Sequence, residues 1–339
     1  TPTTFPYIKY SAGTQIIGKT KYIQKFSFYN IFRDLSTNDH AQQQQKIYHN
    51  LSTDYEFYRL KSKINFKTEL VSQFYNIENK KISGNDYSGT YARMFPMSGL
   101  LLETPLINRN NNITITPKLS LILNGSQPSS DKVSNEESTN NSYSLLTSNT
   151  LNRYTGTDKL DNSKRINYGI DISKDLLNLS LSQSYEFNAN SSYNKDLGLN
   201  DYMSDVLGSL SFDGLNNDLQ HNFRFNVDQG LIKSQSFTYK NTNMIGTSEF
   251  KYSQERVENN SILKSSTETL DIDFSSNKFL NYSKINFSSK FDLIKDDPTE
   301  YDIGYSYFDD CFGINLNFNR SFYSDRDLKP KDILTLMFS

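Results

Sequence analysis

Tyr301-Asp302-Ile303-Gly304-Tyr305-Ser306-Tyr307-Phe308 runs into Asp309-Asp310-Cys311-Phe312-Gly313, and Ile314-Asn315-Leu316-Asn317-Phe318-Asn319 follows. Ile303, Tyr305 and Tyr307 alternate with smaller residues, and Ile314, Leu316 and Phe318 alternate with asparagine. A two-residue period places the apolar row on one face and Asn on the other, which predicts an antiparallel hairpin closed by the Asp-rich turn. After the break at Asp325-Arg326-Asp327-Leu328-Lys329-Pro330, the stretch Lys331 to Ser339 reads as one more strand. Such a hairpin suits a membrane barrel wall, with its apolar side to lipid and its polar side to a lumen.

Working back from this hairpin, the same pattern recurs along the chain. Clear rows are Ile166/Tyr168/Ile170/Ile172, Leu177/Leu179/Leu181, Phe223/Phe225/Val227 and Leu270/Ile272/Phe274. Earlier strands are expected over 5–13, 21–33, 46–60, 62–77, 87–106 and 112–123, with the polar tract 38–45 as a loop tip. Prolines at 96 and 105 remove ladder donors and mark strand ends, bulges or a weak edge, while the alternation over 112–123 runs on around Pro117. The Ser/Asn/Asp/Glu-rich stretch 125–141 has no apolar period and is expected to be a mobile extramembrane loop. The fold predicted is all-β, a large antiparallel transmembrane barrel of which roughly 16–17 strands lie in this chain.

Composition agrees. The 339 residues are only 35% hydrophobic with a mean hydropathy of -0.65, yet carry 23 Tyr and 23 Phe. Two packed soluble cores would need more apolar residues, and disorder would show fewer aromatics. A barrel wall needs one apolar residue in two. A formal charge of -2 supplies no basic surface for nucleic acid. No apolar run reaches the length of a helical span, whereas a strand crosses with about 9–11 residues. The beginning at Thr1-Pro2-Thr3-Thr4 is read as that of a fragment lacking its N-terminal part.

Two motifs lead to a family. Asn152-Arg153-Tyr154-Thr155-Gly156-Thr157-Asp158, followed by Arg165-Ile166-Asn167-Tyr168-Gly169, resembles the loop and strand hallmark of the lipopolysaccharide-assembly proteins of the LptD (OstA, Imp) family. The Asp309–Gly313 turn, Arg320 and the loop of Asp325, Arg326 and Asp327 look like that family's C-terminal end. Phe5-Pro6-Tyr7-Ile8-Lys9-Tyr10 and Arg93-Met94-Phe95-Pro96 resemble its mid-barrel proline signatures.

The resemblance implies a Gram-negative outer-membrane barrel that inserts lipopolysaccharide into the outer leaflet through a lumen and a lateral gate between first and last strands. Residues 1–339 would be its C-terminal portion, without the periplasmic jelly roll and opening strands. It implies an LptE-like plug lipoprotein, an LptA-type periplasmic bridge protein, outer-membrane lipids and, during folding, the barrel-assembly machinery as partners. It implies no cofactor and no covalent chemistry. One lip of the gate would be Pro330, Ile333, Leu334, Thr335, Leu336, Met337 and Phe338; Pro330 equally suits a simple loop end. Relatives carry paired cysteines at the Cys311 turn, where Phe312 takes the second place. Cys311 is thus either a disulfide partner of sequence outside this chain or a free thiol. The alternative reading of the whole chain is a passive porin or nutrient channel.

Other candidates favour structural roles. His40, His49 and His221 lack metal-ligand spacing, and Asp296-Asp297 and Asp309-Asp310 sit where turns need Asp. No Gly-x-Ser-x-Gly elbow suggests a lipase. Asn152, Arg153 and Asp158 suit either a loop reaching a plug or a self-capped loop with Arg153 paired to Asp158. Arg165, Arg224 and Lys251 are candidates to meet lipopolysaccharide phosphates or are solvated wall charges.

Overall fold

The computed structural model describes residues 2–126, 131–139, 143–189, 193, 198–199, 201–259, 262–277, 282–309, 311–322 and 331–338. Among these residues the chain is all-β, with one four-residue helix, α1 (Leu145–Ser148), and 19 strands. Two of the strands, β2 (Gln15–Ile17) and β7 (Leu106–Asn108), are three residues long. The remaining 17 are the long strands that the alternation predicts. Contacts divide the chain into two units, one of Thr1–Ile107, Thr114–Asp171 and Ser182–Asp205 and the other of Asn108–Ile113, Ile172–Leu181 and Val206–Ser339.

In the first unit β1 (Thr3–Ser11), β3 (Thr20–Phe32), β4 (Gln43–Arg59), β5 (Ser62–Ile82), β6 (Asn85–Glu103) and β8 (Ile113–Asn124) pair antiparallel in chain order, with the short strands as side pairings. The register aligns one apolar face. Ile47 lies opposite Phe74, Leu51 opposite Leu70, and Leu100 opposite both Phe66 and Leu121. Ile47, Phe66, Phe74, Leu100, Leu119 and Leu123 are all exposed. An apolar row without a covering layer is the outward face of a barrel wall, where lipid replaces a protein core.

The other face is polar and yet buried. Gln44, Lys46, Asn50, Gln73 and Arg93 are at most 9% exposed, because the segment between β8 and β9 (Lys164–Lys174) folds back over it. Leu151 and Leu160 of that segment join Tyr48, Val71, Phe95, Met97 and Ile122 in an apolar cluster. Burying each such leucine contributes about 1.5–3 kcal/mol. Of the loop expected over 125–141, residues 127–130 and 140–141 lie outside the described residues. The tract 38–45 is not all loop tip. Gln43–Gln45 open β4, and Gln44 is buried because its amide exchanges hydrogen bonds with Ser134: Nε2 donates to the Ser134 carbonyl at 3.1 Å, and Oε1 accepts the Ser134 N–H at 2.9 Å.

Proline shapes the ladders as expected of a missing donor. The β1–β3 register shifts between Thr4 and Tyr7, around Pro6. The β6–β8 ladder covers only Met97–Glu103, so it begins after Pro96 and ends at Lys118, next to Pro117.

β9 pairs with β10 (Leu177–Glu186). The second unit contains a meander of β11 (Val206–Asp213), β12 (Asn217–Asn226), β13 (Leu231–Thr242), β14 (Gly246–Asn259), β15 (Ile262–Ser276), β16 (Ser283–Asp292), β17 (Asp297–Phe308), β18 (Gly313–Ser321) and β19 (Lys331–Phe338). One face carries continuous, mainly apolar rows: Leu210, His221, Phe237, Tyr252, Leu270 and Phe291 follow each other across β11–β16. Phe274, Phe287, Ile303, Phe318 and Leu334 do so across β15–β19. The opposite face aligns Thr247, Ser275, Asn286, Gly304, Asn317 and Thr335.

Candidate functional site

The polar groups that the wall cannot leave unpaired converge on the folded-back segment 131–163. Asp158, the last residue of the Asn152–Asp158 motif, is their first centre. Its Oδ1 accepts from Lys46 Nζ at 2.6 Å and from the hydroxyls of Tyr29 and Tyr75, each at 3.2 Å. Its Oδ2 accepts the backbone N–H groups of Glu136 (2.8 Å) and Glu137 (3.1 Å). Lys46 is fully buried, also pairs with Glu137 at 2.9 Å, and lies 5.2–5.7 Å from the rings of Tyr29, Tyr48 and Tyr75. Such rings favour a desolvated ammonium. Arg33 pairs with Glu136, and Arg93 reaches Gln73 and the Asp158 carbonyl. The buried carboxylates of Asp158 and Glu136 are thus each paired with a cation, Lys46 and Arg33, as buried charge requires.

Arg153 is the second centre, and it does not pair with Asp158. Its Nε donates to Asp161 Oδ2 at 2.8 Å, its Nη2 to Glu186 Oε1 at 2.6 Å, and its guanidinium lies 4.7 Å from the Tyr193 ring centroid. Arg165, fully buried, donates to the same Asp161 oxygen at 3.2 Å and to the Thr150 carbonyl at 2.5 Å. Burial alone would push the Asp161 carboxyl up, but Arg153 and Arg165 hold it below the ordinary carboxylate range. Burial likewise works against a charged Arg153, and Asp161 with its neighbours outweighs it, so the guanidinium is held more firmly protonated.

The remaining motif positions are structural in detail. Asn152 Oδ1 accepts the N–H groups of Tyr154 (3.2 Å) and Asp161 (3.1 Å), closing the loop on itself. Gly156 adopts φ +70°, and a Cβ there would collide with the Glu137 carbonyl oxygen. Asn167 donates to the Ser148 carbonyl at 2.9 Å and to Ser120 at 3.0 Å. Tyr168 is exposed, its hydroxyl on Gln183 at 2.6 Å, and Gly169 follows it in β9. The predicted loop residues therefore meet as one docked unit. Sequence reading missed Tyr29, Lys46, Tyr75, Glu136, Asp161 and Glu186. Their signal was an ionisable or phenolic side chain on the polar face of a strand or in the segment beside the motif.

The remaining sequence candidates are each described on their own strand or turn. Arg165 and Arg224 are buried, whereas Lys251 is exposed opposite Asp271. Asp309 Oδ1 accepts from the N–H groups of Cys311 (3.0 Å) and Phe312 (2.9 Å), which makes it a turn residue; Cys311 is exposed. Ile333 to Phe338 belong to β19, which pairs with β18 along its length. Asp310, Asp325, Arg326, Asp327 and Pro330 lie outside the described residues. Among the described residues no group of three His, Cys, Asp or Glu side chains is placed to hold a metal ion.

The family described as LptD, LPS transport system D, matches residues 1–293. The chain belongs to the LptD family. No curated protein matches it. A mutant of the Rh. blastica porin is similar at 10% identity, covering 98% of this chain and 100% of its own, with a TM-score of 0.36. The siderophore receptor PirA from Acinetobacter baumannii is similar at 6% identity, covering 96% and 62%, with a TM-score of 0.44. At these scores neither bears on function. LptD proteins are transport and assembly proteins of the Gram-negative outer membrane, not enzymes, and lipopolysaccharide transport is the role of this chain at the level of its family.

Proposed function

We propose that this chain is the C-terminal wall of an outer-membrane barrel that passes lipopolysaccharide through a hydrated lumen and releases its acyl chains sideways at β19. The observation that supports the reading is that β19 carries large apolar side chains on both faces, with Thr335 between two of them on the lumenal side. Leu334, Leu336 and Phe338 continue the outward rows. Ile333 and Met337, 40% and 54% exposed, occupy the opposite face, where their β18 partners are Asn319 and Asn315. An amphiphile whose acyl chains leave a polar lumen for lipid needs apolar contact on both sides of the strand it passes, because its hydrocarbon is stabilised only out of water. Opening such a seam breaks ladder bonds that lipid cannot replace, so the seam must be short; β19 has eight residues.

In this reading an LptE-like lipoprotein plugs the lumen, and an LptA-type bridge delivers the lipid through a periplasmic domain. The barrel-assembly machinery inserts the wall, and Cys311 is available to bond that domain. Depleting the full-length protein in its host tests the function. Loss of surface lipopolysaccharide supports it, and normal surface lipopolysaccharide with reduced solute uptake replaces it with a porin. A photo-crosslinker at Met337 tests the gate: the reading requires lipopolysaccharide adducts there.

A further inference from the structure

Residues 33–42, which join β3 to β4, are fastened both to β5 and to the folded-back segment. On the β5 side, Gln42 N–H donates to the Asn79 carbonyl at 3.2 Å and Lys81 N–H to the Thr37 carbonyl at 3.4 Å. On the segment side, Ala41 N–H donates to Ser134 Oγ at 2.8 Å, and the fully buried Ala41 packs with Tyr75, Ile77 and Val133. The two also meet at Glu136, whose side chain is 4% exposed and whose backbone N–H helps to hold Asp158. Arg33 Nη1 donates to Glu136 Oε1 at 3.0 Å, and His40 Nδ1 lies 3.6 Å from the same oxygen.

His40 is poised there by its own turn: Thr37 N–H donates to its carbonyl at 2.8 Å, and its N–H donates to Thr37 Oγ1 at 3.0 Å. Among the described residues, its Nδ1 is buried without a hydrogen bond. A neutral imidazole gains little at 3.6 Å: as an acceptor its lone pair faces a carboxylate, and as a donor its N–H is out of reach. An imidazolium places a positive charge at ion-pair distance from that carboxylate and is attracted to it. Water reaches the ring, because the His40 side chain is 39% exposed and lines a cavity of about 680 Å³ between residues 33–42, the segment and the β5–β6 turn. The other charged groups around His40 are Arg33 and Asp39 beside it in the chain, Lys80 and Lys81 on β5, Arg93 on β6, and Asp131, Asp158 and Lys159 on the segment. Arg33 is engaged by Glu136, Lys80 by the Asp131 and Val133 carbonyls, and Arg93 by the Asp158 carbonyl. These cations lower the pull of Glu136 on an imidazolium, and Asp39 and Asp131 offset part of that, so the net gain is small and favourable.

We propose that residues 33–42 form an acid-tightened strap: charging His40 draws it onto Glu136 and clamps the folded-back segment to the wall, and discharging it relaxes the clamp. Histidine changes charge between about pH 5 and 8, above the range in which carboxylates lose theirs. The strap therefore responds while the Lys46–Asp158 and Arg153–Asp161 pairs stay intact. This response to ambient pH is independent of the transport reading above.

Hydrogen exchange at the Glu136 and Glu137 amides of the folded full-length barrel tests this, with protection corrected for the intrinsic effect of pH. From about pH 8 down to about pH 5.5, protection is expected to rise about two- to fivefold, the span of a partly exposed ion pair. Amides of β14 are expected to stay level over the same interval. His40→Gln keeps a polar side chain without the charge, at a partly exposed position where the variant folds, and is expected to flatten the profile. Glu136→Gln is expected to flatten it too, from lower protection throughout, because Arg33 loses its partner. A flat or falling profile in the unmodified protein overturns the strap, as does a rise that survives in either variant or that β14 shares.

Discussion

Replacing Lys46 with methionine isolates what holds the motif loop to the wall. Methionine keeps most of the stem volume and removes the ammonium, so Asp158, with a side chain only 1% exposed, stays buried without its closest cation. Glu137, 39% exposed at the side chain, turns to water and is not stranded. Removing one partner of a buried pair costs about 3–5 kcal/mol. Asp158 keeps four of its five donors, the hydroxyls of Tyr29 and Tyr75 and the N–H groups of Glu136 and Glu137. The expected value is therefore at the low end, about 3 kcal/mol, or roughly a hundredfold increase in loop opening. Hydrogen exchange at the Glu136 and Glu137 amides in the folded barrel reads this opening directly. Asp158→Asn and the double variant complete the cycle, and the coupling between the two sites is expected to exceed about 1.5 kcal/mol. Unchanged exchange in Lys46→Met, or strictly additive effects in the double variant, would refute the claim that this ion pair anchors the loop.

Gly156→Ala places a Cβ against the Glu137 carbonyl and is expected to loosen the loop by more than about 2 kcal/mol, seen as protease cleavage within 131–163; Gly230→Ala, at φ +65° with open space, is expected to cost about 1 kcal/mol. Because Asp161 titrates below its unfolded value, its contribution is fully present above the ordinary carboxylate range and is lost as pH falls through its lowered value. Amide protection of the loop should therefore drop on acidification, and Asp161→Asn should show weaker protection at neutral pH with a flatter profile. The turn between β4 and β5 holds Leu60 and Lys61 at φ 52° and 63°, a left-handed pair that favours glycine. Lys61→Gly is expected to raise stability by about 1 kcal/mol in urea titration of the refolded barrel, and destabilisation would show that this turn is not strained.

What the sequence by itself determined is the wall. Period-two rows such as Leu270, Ile272 and Phe274 have one face to give to an apolar medium, and that preference is local, so strands and turns could be read residue by residue, whereas their register could not. The Asn152–Gly169 motif was legible too, together with its family. Its internal pairing was not: Arg153 meets Asp161 and Glu186, and Asp158 meets Lys46, a residue 112 positions away in sequence. Nothing local distinguishes a lysine on a wet lumen wall from one sealed beneath a loop, as Gln44 in its polar tract also shows. Only the tertiary structure decides this, because a loop rich in Ser, Asn and Glu becomes buried when its polar groups find partners on strands brought together by the register. That long-range pairing is invisible to periodicity, and it alone created both the docked loop and the cavity beside it.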